Sequence, residues 1–158
     1  MRLMGSARRA FYGSLGGLGG TLLLTGFRKL LATFGVVGTT APEQVAERLE
    51  ELGVLDEWSP EARRALALTT HLIYGGGTGT VLGLLRRRRG GAAEEAAVGS
   101  ALGILAWGAG WASWLPLAGV HLPPWEQQTP KVLLPVLDHA VFGATWGLLY
   151  KAVRADRV

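Results

Sequence analysis

The side chains of this sequence best suited to chemistry are His71, His121 and His139, with Arg28 and Asp138, because each falls in or beside a long apolar run. Imidazole titrates near pH 6.5 and its ring nitrogens ligate metals. Paired histidines in apolar surroundings therefore point to three kinds of site: a polar lock between helices, a proton or cation site, or the two axial ligands of a b-type haem. His71-x-x-Tyr74-Gly75-x-x-x-Gly79 and His139-x-x-Phe142-Gly143-x-x-x-Gly147 share one spacing, which makes His71 and His139 the natural pair. Ionisable groups in such runs usually face one another, so Arg28 and Asp138 are expected to form an ion pair, with His121 near the same end. The polar lock, with the histidines bonded to each other, to Thr70 or to backbone, is the favoured reading. The haem reading needs the neighbouring glycines to leave room for a porphyrin.

Other chemistries find little support. With no Cys there are no disulfides, thiolate metal sites or cysteine nucleophiles. No H-E-x-x-H, Walker loop or usable Ser-His-Asp set is present, and Gly75-Gly76-Gly77-Thr78-Gly79 lacks the lysine and preceding strand of a phosphate loop. The sequence reads as non-enzymatic, with no cofactor in the favoured reading.

These residues need elements to hold them. Only 18% of the 158 residues are charged, against about 25% in soluble domains. The 24 glycines occur with abundant leucine and aromatics, which favours packed membrane helices over disorder. A helix needs about 20 residues to cross the hydrocarbon core. Four segments qualify, at about residues 10–36, 65–85, 96–120 and 132–153, within one domain, 1–158. The expected fold is an all-α integral membrane four-helix bundle. Residues 39–64 form an external segment with a short amphipathic helix begun by Pro42 and ended by Gly53, followed by a helix start capped by Ser59. Pro116 and Pro135 are expected to bend the outer ends of spans three and four. Trp107, Trp111 and Trp114 share a face expected to meet lipid or a neighbouring subunit.

Ten basic residues flank the termini and the loop between spans two and three, whereas residues 39–64 carry seven acids against three arginines. Basic flanks mark the cytoplasmic side, so both termini are placed there. The net charge of +4 then reflects topology, not nucleic-acid binding. Arg8-Arg9-Ala10-Phe11 resembles a twin-arginine export signal, but no cleavage site stands out, and topological anchoring is the preferred reading.

The His-Gly spacing implies two repeated helix hairpins related by an axis along the membrane normal. Gly75, Gly79 and Gly83, and Gly143 and Gly147, form stripes four residues apart, the pattern by which helices approach closely in lipid. Gly16 and Gly20, and Gly99 and Gly103, offer facing surfaces. The pairs Gly13-Ser14 and Gly99-Ser100 extend the repeat to spans one and three.

The chain resembles the YagU-like family of small bacterial four-helix inner-membrane proteins. The resemblance lies in the Gly-rich first span ending in Thr21-x-x-x-Thr25, Pro42 with its amphipathic segment, Thr70-His71-Leu72-Ile73-Tyr74-Gly75, His139-Ala140-Val141-Phe142-Gly143, and Trp114-Leu115-Pro116. It implies a four-helix membrane fold in the bacterial inner membrane and brings no activity. Arg28-Lys29 falls outside that pattern. The expected role is an accessory or structural subunit of a homo- or hetero-oligomeric membrane complex, with lipid, other subunits or copies of itself as partners. The alternative is a haem, metal or proton site centred on His71 and His139.

Overall fold

The computed structural model describes residues 5–35, 39–88 and 90–155, without the side chains of Pro130 and Ala155. The expected end of span one beyond residue 35, and the basic residues Arg2, Arg89 and Arg157, lie outside these. The described residues are helical, with no strand. In order they form α1 (Ser6–Thr33), α2 (Ala41–Glu51), α3 (Pro60–Leu85), α4 (Ala92–Ala109), a π-helical turn (Gly110–Trp114), α5 (Leu115–Leu117), a 3₁₀ turn (Pro124–Glu126) and α6 (Thr129–Ala155).

Local chemistry sets the boundaries. Thr40 caps α2 in a capping box: Glu43 reaches back to the Thr40 amide at 2.6 Å, and Pro42 pre-sets the first turn. The helix closes at Gly53, whose φ of 77° lets Val54 N–H bond Leu49 O and Gly53 N–H bond Glu50 O. This Schellman pattern satisfies carbonyls that a helix end leaves free. The same pattern at Gly119 ends α5. Ser59 Oγ accepts from Ala62 N–H at 3.2 Å and starts α3, which runs without a break from the external segment into the apolar run. Ahead of Pro116 the α-register yields to the π-turn, with Leu115 N–H bonded to Gly110 O. Proline lacks an N–H and its ring crowds the carbonyl four residues back, which gives the change of register at this end a physical cause.

Helices α1 and α3 form one antiparallel hairpin and α4 and α6 a second. Each is built on close backbone approach. A Cβ on Gly79 would strike Gly13 O, and one on Gly75 would strike the Thr21 hydroxyl; a Cβ on Gly143 would strike Gly99 O, and one on Gly147 would strike Glu95 O. The hairpins join through α1 and α6, where Gly16 and Gly20 receive Trp146 and Phe142. Gly16 and Gly20 therefore belong to a second stripe on α1, facing α6, while Gly13 and Gly17 face α3. The opposite seam, between α3 and α4, is barely in contact.

The register corrects one expected correspondence. Gly17 faces Gly75 as Gly99 faces Gly143, so Gly17, not Gly13, is the counterpart of Gly99. The two Gly-Ser pairs stand one helical turn out of register.

Two stretches are long and apolar enough to cross a membrane: Ala92–Leu117, of 26 residues, and Lys131–Arg154, of 24. With 28 and 26 residues, α1 and α3 have comparable length. Their glycines, threonines and polar first turns dilute the hydropathy.

Candidate functional site

One end of the molecule gathers the expected polar residues. Arg28 on α1 donates from Nε to Asp138 Oδ2 on α6 at 2.7 Å, with a second contact from its Nη2. The pair is largely shielded, with side chains 15% and 6% exposed. Charges so shielded must be paired, because desolvation of either alone is expensive. It ties the two hairpins together across α1 and α6.

His71 and His139 lie on the wall of one cavity of 380 Å³ between α3, α6 and the π-turn that follows α4, roofed by Ala41, Pro42 and Val45 of α2. Tyr74, Trp111 and Trp114 supply aromatic walls. His139 Nδ1 lies 2.8 Å from Pro135 O, and His71 Nδ1 lies 3.3 Å from the Thr25 hydroxyl. Neither Nε2 has a hydrogen-bond partner among the described residues. The imidazoles do not bond each other, and Thr70 donates to Leu66 O and Ala67 O of its own helix instead.

Broken symmetry creates the cavity. Carrying the glycine register along, Asp138 corresponds to Thr70, Arg28 to Gly110, Phe142 to Tyr74 and Trp146 to Thr78. The α1–α6 seam is filled by an ion pair and a fully buried Trp. The α3–α4 seam carries small neutral residues at the equivalent places.

His121 does not join His71 and His139. It follows the turn at Gly119, its ring 4.1 Å from that of Trp111, with Nδ1 close to Leu122 O and Gln127 Nε2. Trp111 is buried between His121 and the cavity, so its expected lipid-facing place is corrected; Trp114 is 44% exposed. Both lie in the π-turn, which changes the spacing that a regular helix would give them.

The opposite end holds a cluster that sequence reasoning passed over. Trp146 and Tyr150 are fully buried and stacked at 5.0 Å. Trp146 Nε1 donates to Gly13 O at 3.1 Å, and the Tyr150 hydroxyl donates to Gly83 O at 3.1 Å. The Arg154 guanidinium sits 4.5 Å over the Tyr150 ring. Arg86 donates from Nε to Glu95 Oε2 at 3.0 Å and also meets Glu94. Its hydrogen bond to the Glu95 carboxylate is the main reason its guanidinium is held above its ordinary value. Glu95 also accepts from Gly90 N–H at 2.8 Å. These contacts clamp the loop between the hairpins. The one signal for this in the sequence was the size mismatch of Trp146 and Thr78 within the repeat.

The residues test the metal and haem readings in different ways. No group of three or more His, Cys, Asp or Glu able to hold a metal ion occurs among the described residues. Gly75 and Gly143, which the haem reading needs to leave room for a porphyrin, lie against the facing helix instead. Room beside the histidines lies against Gly110 and the π-turn.

No family model, curated protein or solved structure matches the chain.

Proposed function

We propose that this chain is an integral membrane protein with four spans, formed by α1, α3, α4 with its π-helical extension, and α6. It acts without catalysis as an accessory or structural subunit, in assembly with itself or with other membrane proteins. The observation that carries this reading is the inverted distribution of apolar side chains. The helices meet through glycine backbone, while Leu22, Phe27, Ile73, Leu105, Leu117 and Leu137 point outward. In water such a surface is a liability, and contiguous apolar patches of that extent mark lipid or protein contact. In lipid there is little hydrophobic gain from burying leucine between helices, and close backbone packing takes over.

Orientation follows from charge. The antiparallel hairpins bring Arg8, Arg9, Arg86, Arg87, Lys151 and Arg154 to one end and acidic α2 to the other. This supports cytoplasmic termini in a bacterial inner membrane. Fusion of a phosphatase active only outside the cytoplasm tests the orientation. Activity is expected for an insertion after Gly53 and not for a fusion after Arg154; the reverse pattern, or release of the protein by alkaline carbonate, sinks the reading. The subunit role is tested by native mass spectrometry from membrane nanodiscs, and a lone monomer at all concentrations argues against it.

A second reading, a haem, metal or proton site centred on His71 and His139, is supported by their convergence on one cavity. An absorption spectrum and a proton-flux assay on reconstituted protein separate its haem and proton forms.

A further inference from the structure

The cavity between α3, the π-turn and α6 has a defined chemical preference. Its 380 Å³ falls within the roughly 300–1,000 Å³ of small-molecule sites. No Lys, Arg, Asp or Glu lines it, so a charged headgroup would enter without a counter-ion at a heavy desolvation cost. The ligand is therefore neutral. Ile73, 69% exposed, and Trp114 border the cavity on the outside of the bundle. If the helices span a membrane, as proposed above, that side faces lipid and the ligand arrives dissolved in it.

The histidines refine the choice. Pro135 O can only accept, so the His139 Nδ1 beside it carries the proton. In a neutral imidazole Nε2 is then a bare acceptor, and it has no partner among the described residues. A ketone or ester offers it nothing, whereas a hydroxyl does. His71 is more permissive: the Thr25 hydroxyl beside its Nδ1 can donate or accept, so its Nε2 can do either in turn. The walls from Tyr74, Trp111 and Trp114 suit a flat ring.

We infer that this cavity binds a lipid-soluble phenol of the hydroquinone type, its ring against the aromatic walls and one hydroxyl hydrogen donated to His139 Nε2. Gly110 matters to this site, because a Cβ there would lie 2.8 Å from the Tyr74 hydroxyl. The inference concerns binding and includes no electron transfer.

The test uses the full chain in phosphatidylcholine nanodiscs, titrated anaerobically with decylhydroquinone while tryptophan fluorescence is followed. Saturable quenching is expected. The dimethyl ether of the same compound, with both donors removed, should bind about tenfold more weakly, the scale of one hydrogen bond. His139→Phe should abolish that difference by weakening the hydroquinone alone. Val45→Trp, which fills the cavity from the roof outside the bundle, should weaken both ligands by about tenfold or more. Equal affinity for hydroquinone and ether in the wild type overturns the proposal, as does wild-type binding in Val45→Trp. If His139→Phe does not fold, those two comparisons still decide. Protein that resists carbonate extraction yet shows no saturable quenching sinks the ligand and leaves the membrane reading standing. Protein released by carbonate sinks the membrane reading first.

Discussion

Arg28 and Asp138 stand 110 residues apart in sequence and together fasten the two hairpins. Removing one partner strands the other charge in a shielded place. Asp138→Ala is expected to destabilise the protein by about 3–5 kcal/mol, and replacing both residues by apolar ones of similar size should recover most of that loss. Thermal unfolding in detergent, with the double variant as control, measures both effects; a single variant as stable as the wild type would show that the pair does not join the hairpins. Trp146 is the second fastening, fully buried on Gly16 and bonded to Gly13 O. Trp146→Ala should cost about 3–5 kcal/mol through the cavity it leaves. Arg28–Asp138 was legible in the sequence because two opposite charges in apolar runs have few other options. Trp146 was not, since a Trp between two packing glycines carries no mark of which helix it will meet.

At the scale of elements, glycines of the same type have opposite roles. Gly143 lies against Gly99 backbone, whereas a Cβ on Gly77 would meet nothing within 4 Å. Gly143→Val must part α4 from α6, at about 1–3 kcal/mol or more. Gly77→Ala should be neutral or gain up to about 1 kcal/mol from helix propensity. Far-ultraviolet circular dichroism melts of the two variants compare them directly, and equal effects would mean that the seam is misassigned. The start of α3 has a pH signature. Glu61 sits on the first turn beside Ser59, and backbone and Ser59 hydrogen bonds hold its carboxyl below the usual value of 4.5. A depressed folded-state value means that its contribution is present above the unfolded value and lost as pH falls through the folded one. Amide exchange at the first turn of α3 should therefore quicken as pH falls below about 4.5 relative to the intrinsic rate, and Glu61→Gln should remove that dependence.

For the whole molecule, two similar hairpins meet through one seam and stay apart at the other. Such halves should find each other without a covalent link. Co-expressed as two pieces divided at Gly90, they are expected to co-purify through α1 and α6, and Trp146→Ala should weaken the association. Pieces that purify separately would show that the loop, clamped by Glu95 and Arg86, is what holds the hairpins together.

Composition and periodicity determined the helical class, the four long helices, the caps at Ser59 and Gly53 and the glycine stripes, because these depend on neighbours within a turn or two of the chain. The shared spacing around His71 and His139 also foretold that they would lie at one end. The tertiary structure alone decided which stripe meets which helix, that His121 turns away beneath Trp111, and that a cavity opens between α3 and the π-turn. Those outcomes depend on the π-turn ahead of Pro116 and on the size of residues brought together from distant parts of the chain. The exchange of Asp138 for Thr70, Arg28 for Gly110 and Trp146 for Thr78 makes one seam a lock and leaves the other open.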